Sequence, residues 1–103
     1  MSSEATDDLQ ADVLEELTDA RRRLLTADPE TIVVNHAIGL YEFAALQLSS
    51  SPPNLVSAVL AIDALACLVE GLAGRLGGDE TTLQEALSNI RLAFVQIKAS
   101  TLA

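Results

Sequence analysis

The sequence predicts an all-α protein: an antiparallel bundle of about four helices, assembled as a homo-oligomer. Three observations carry this reading. Leucine and alanine supply 18 and 16 of the 103 residues, and both favour helix over strand. Apolar residues recur at spacings of three and four, with no alternating stretch of strand length to compete. Turn-forming clusters (Asp28-Pro29, Ser51-Pro52-Pro53-Asn54 and Gly77-Gly78) divide the chain into four such stretches. A chain of this length suits one domain and can bury a core without metal or disulfide staples.

The first helix is expected from about Asp8 to Leu25. Leu9, Val13, Leu17, Ala20 and Leu24 form one apolar stripe. The acids Asp8, Asp12, Glu15 and Glu16 lie toward its start and Arg21-Arg22-Arg23 closes it, an order that complements the helix dipole. Residues 1–29 therefore read as an acidic N-terminal helix with a frayed start, more loosely packed than the rest. The core is placed at residues 30–99, with helices at about 29–48, 55–76 and 80–98, and residues 100–103 as a tail.

The second helix opens on Asp28-Pro29-Glu30, a capping side chain followed by a proline whose missing N–H costs nothing at the first position. Val33, Val34, Ala37, Ile38, Tyr41, Ala44, Ala45 and Leu48 share its inner face. Ile32, Phe43 and Leu46 fall among the polar residues opposite, leaving a greasy outer patch. Pro52 and Pro53 end this helix. The third is polar only along a narrow stripe of Asp63, Cys67, Glu70 and Gly74, and a helix apolar nearly all round must be covered on several sides. Gly77-Gly78 ends it. The fourth starts near Asp79 to Thr82, where Thr81 with Gln84 or Thr82 with Glu85 fits a capping box. Leu83, Ala86, Leu87, Ile90, Ala93, Phe94 and Ile97 give it an apolar face.

Charge narrows the function. The net charge is -9, and residues 1–30 hold nine of the fifteen acids against three arginines. That balance opposes binding to nucleic acid or anionic lipid. No stretch matches a membrane span, since the oiliest ones carry Asn35, His36, Glu42, Gln47 or Asp63. The Met1-Ser2-Ser3-Glu4 start lacks the pattern of a signal peptide. One cysteine closes no disulfide within the chain, so the expected location is the cytoplasm.

Catalytic and metal-binding constellations are not expected, and no cofactor is called for. His36 is the only histidine and has no carboxylate or thiol three or four residues away. Cys67 reads as a small hydrophobe packed in its helix. The glycines around Arg75 close a helix, whereas a phosphate loop opens one. The acids Asp12, Glu15, Glu16 and Asp19 form a solvated helix flank without the loop geometry of a calcium site. Asp63 interrupts an apolar helix and Arg91 flanks another, so either the two form an ion pair between helices or subunits, or Asp63 reaches solvent along its narrow stripe.

The pattern from His36 to Ile97 resembles a family of short bacterial cytosolic helical proteins classed as a domain of unknown function. The likeness lies in Ala44, Leu46 and Leu48, then Pro53-Asn54, then Ala58, Ile62-Asp63 and Leu65. It ends with Ile90-Arg91 and Ala93-Phe94-Val95. The resemblance implies a compact helical module, and it brings no reaction or catalytic residue with it.

The expected function is thus a non-enzymatic interaction or regulatory module that self-associates, a homodimer being favoured, with a further protein as a possible partner. Its contact surfaces would be the flank Asp12, Glu15, Glu16 and Asp19 and the patch Ile32, Phe43 and Leu46. One alternative is a binder of small apolar ligands, which requires an enclosed cavity near His36 or Tyr41. The other is an enzyme whose site is assembled at an oligomer interface from His36, Asp63, Glu70 and Arg91.

Overall fold

The computed structural model describes residues 2–102. Four α-helices follow one another: α1 (Ser2–Thr26), α2 (Pro29–Ser49), α3 (Leu55–Gly71) and α4 (Glu80–Leu102). A short 3-10 turn, Gly77–Asp79, precedes α4. The all-α bundle predicted from composition and periodicity is what the chain forms.

Each junction has a local cause. Asp28 stands in extended backbone ahead of Pro29, and its carboxylate accepts the Glu30 N–H at 3.2 Å. Asn54 caps α3 by accepting the Ser57 N–H at 3.0 Å, while its own N–H donates to the Gln47 carbonyl. The loop is therefore tied to both helices it joins. The Ser51–Pro52 peptide within it is cis.

The α3–α4 junction corrects two expectations. The third helix was predicted to reach Leu76, yet it stops at Gly71, with the Leu72 N–H still bonded to the Leu68 carbonyl. Beyond it, Gly74 and Gly77 take positive φ values of 83° and 70°, a backbone shape open to glycine and closed to a continuing helix. Leu76 between them is buried and anchors the loop to the core. The threonine capping boxes do not form either. Thr81 and Thr82 lie inside the first turn, and Glu80 reaches back to accept the N–H groups of Gly74 at 2.7 Å and Leu76 at 3.2 Å. The other ends also differ from the reading: α1 begins at Ser2 and α4 runs to Leu102, through the residues assigned to a tail.

The core lies among α2, α3 and α4, each packed against the other two. Val34, Ala37, Ala44 and Leu48 of α2 meet Ala58, Ala61, Ile62, Leu65, Ala66 and Val69 of α3. Leu83, Leu87 and Ile90 of α4 close the third side. Alanines at five of these positions let the helix axes approach closely, and Leu65 at the centre is fully buried. No polar or charged residue is buried among the described residues.

Helix α1 stands outside this packing. From Ala5 to Thr26 every residue is exposed. The radius of gyration is 19.7 Å, where a compact chain of this length measures about 13 Å. The long axis of 66 Å reflects the same projection. Among the described residues, no helix is long and apolar enough to cross a membrane.

Candidate interaction surface

Part of what α1 leaves uncovered is apolar. Leu9, Val13, Leu14, Leu17, Leu24 and Leu25 are between 54% and 76% exposed. At 100° per residue, Leu9, Val13, Leu17, Ala20 and Leu24 fall within an arc of about 80°. The flank Asp12, Glu15, Glu16 and Asp19 is solvent-facing, as predicted. Of the three arginines, Arg22 pairs with Asp19 at 3.3 Å, one helical turn away.

The second patch needs partial correction. Phe43 and Leu46 are exposed, at 47% and 66%, but Ile32 is half-buried and does not belong to an outer surface. Ile38, predicted to face inward, is 41% exposed. In exchange Leu60 of α3, 72% exposed, lies beside Phe43, and Val56 one turn before it on α3 is 80% exposed. Leu40, Phe43, Ser57, Leu60, Ala61 and Ala64 line an open cleft of about 210 Å³ between α2 and α3. Sequence reasoning missed the two α3 residues, although the signal was present. Extending the polar stripe backward from Asp63 by three and then four residues reaches Leu60 and Val56.

Asp63 and Arg91 are not brought together. Within the chain, Arg91 donates to Glu70 at 3.0 Å, two turns further along α3, and Asp63 faces solvent. Both members of the Arg91–Glu70 pair are about half exposed or more, at 50% and 62%, so its contribution to stability is about 0–1 kcal/mol. Of His36, Asp63, Glu70 and Arg91, only Glu70 and Arg91 bond to one another. His36 is exposed, with Nδ1 2.8 Å from the Ile32 carbonyl in its own helix.

Cys67, read as a packed hydrophobe, is exposed on the same face of α3 as Asp63 and Glu70. Among the described residues no group of three or more histidines, cysteines or carboxylates is placed to hold a metal ion. The space beside Tyr41, bordered by Glu42, Ala45, Leu46 and Ser49, is an open groove and not an enclosed chamber.

The geometry thus defines a three-helix core that carries a projecting amphipathic helix and a smaller apolar cleft. No family model matches the chain, and neither does any curated protein or solved structure. The resemblance over residues 36–97 rests on the residue pattern alone.

Proposed function

We propose that this chain is a non-enzymatic interaction module of the cytoplasm that works as a homo-oligomer, with the dimer as its basic unit. The observation that carries the reading is α1. Six large apolar side chains stand open on a single helix that makes no use of them within its own chain. Contiguous exposed apolar surface of this kind marks association sites, and closed two-fold pairing is the commonest way for one chain to cover it. The solvated acidic flank keeps such a helix from collapsing onto unrelated surfaces. The cleft at Phe43 and Leu60 offers a second, smaller contact for a further protein partner. An exposed thiol at Cys67 suits a reducing compartment.

Light scattering on the purified chain tests the reading. A mass of twice the 10.9 kDa chain, or a higher multiple, is expected at micromolar concentration. A clean monomer across that range sinks the proposal.

A further inference from the structure

We infer that α1 is the self-association element and that its occupant is α1 of a second copy, lying antiparallel along the Leu9–Val13–Leu17–Ala20–Leu24 stripe. The inference rests on the self-association proposed above and specifies its surface, direction and register.

The direction follows from charge. Along α1 the acids Asp7, Asp8, Asp12, Glu15, Glu16 and Asp19 all precede Arg21-Arg22-Arg23. A parallel pair keeps one attraction per copy, Glu16 with Arg21 of the second copy, but sets six acids beside six acids and three arginines beside three. An antiparallel pair sets the basic end of each helix against the acidic middle of the other, and opposes the two helix dipoles.

The register follows from the stripe. Setting Leu17 against Ala20 of the second copy, and Val13 against Leu24, fills four layers related by a two-fold axis. Glu16 and Arg23 lie on the same edge of the stripe, roughly seven residues or two turns apart. In this register the edge of one helix faces the same edge of its partner, so Glu16 meets Arg23 of the second copy and Arg23 meets Glu16. Edge charges of this kind set orientation in paired helices. Neither residue has an ion-pair partner among the described residues of its own chain. On the other edge, Leu14 meets the aliphatic stem of Arg21.

The test uses the purified full chain carrying Cys67→Ala. Chains with Val13→Cys and chains with Leu24→Cys are mixed and oxidised, and the linked peptides are read by mass spectrometry. A disulfide between positions 13 and 24 supports the inference, because only facing positions bring Cβ atoms within the roughly 3.5–4.5 Å that a disulfide needs. Links of 13 to 13 and 24 to 24 overturn it in favour of a parallel pair. A dimer that forms neither link overturns it in favour of another register or another surface, and leaves the self-association reading standing. A monomer by light scattering overturns both. Charge exchange provides an independent check: Glu16→Arg should weaken the dimer about tenfold, through two lost attractions and two new repulsions. Adding Arg23→Glu to the same chain should restore it. Failure of the double exchange to restore dimerisation overturns the Glu16–Arg23 register. Leu17 is 62% exposed, so Leu17→Glu should abolish the dimer while core unfolding stays unchanged. A dimer that survives it overturns the inference.

Discussion

Gly77 shows how far one residue governs this fold. Its φ of 70° lies where side chains are disfavoured, and the Glu30 carboxylate occupies the place where a Cβ would stand. Gly77→Ala therefore faces a left-handed backbone penalty of about 1–2 kcal/mol, while the flexible Glu30 carboxylate moves aside at little cost. Chemical denaturation should show a loss of about 1–2 kcal/mol, and an unchanged midpoint would show that the left-handed backbone at Gly77 is not required. Asp63 is the contrasting case. A carboxylate inside an apolar helix reads as a buried charge in need of a partner, yet its stripe opens to water and Arg91 turns to Glu70. Asp63→Ala should then leave stability within about 0.5 kcal/mol. A loss of several kcal/mol in thermal unfolding would restore the buried-pair reading. Periodicity named the stripe correctly; which acid Arg91 reaches depends on the stagger of α4 along α3, and no local pattern encodes that.

At the scale of the elements, the starts of α2 and α3 were more legible than the end of α3. Asp28-Pro29 and Asn54 act through atoms within three residues, so their roles are written in adjacent letters. Asn54 is doubly committed, since its side chain caps α3 and its backbone closes onto Gln47. Asn54→Ala removes only the cap and should cost about 1 kcal/mol. In denaturant that appears as a lower midpoint with an unchanged slope, and an unmoved midpoint would show that the loop holds without the cap. The end of α3 was less legible because Leu72 and Leu76 continue the apolar rhythm past Gly71. What stops the helix is the pair of positive φ angles at Gly74 and Gly77, together with Glu80 binding two loop N–H groups from outside. The carboxylate holding that loop lies beyond the glycines, on the next helix. The rhythm of the helix alone therefore overruns its end.

At the scale of the whole molecule, the apolar residues divide between a packed core and an uncovered stripe. The oil of α2, α3 and α4 is mostly spent on one core, in which Leu65 is fully buried and the alanines set the spacing. Helix α1 carries seven of the fifteen acids and has its own uncovered stripe. The sequence announced that stripe because amphipathicity says that a face will be covered; it does not say by what, and a loosely packed fourth helix was the natural reading. The structure leaves α1 unpacked, and this has a thermodynamic consequence. A lone helix in water is marginal, because nucleation is unfavourable and most helical stability in proteins comes from tertiary packing. In a monomer, then, α1 should open far more readily than the core. If a second copy supplies the missing packing, mass action links the order of α1 to protein concentration. Amide hydrogen exchange at two concentrations spanning the dimerisation midpoint should show α1 gaining protection as concentration rises. Amides of α3 around Leu65, already held by the core, should gain much less from a contact they do not make. Equal protection of α1 at both concentrations would mean that its helix does not depend on a second copy, and the account of α1 as a helix completed by association would fail.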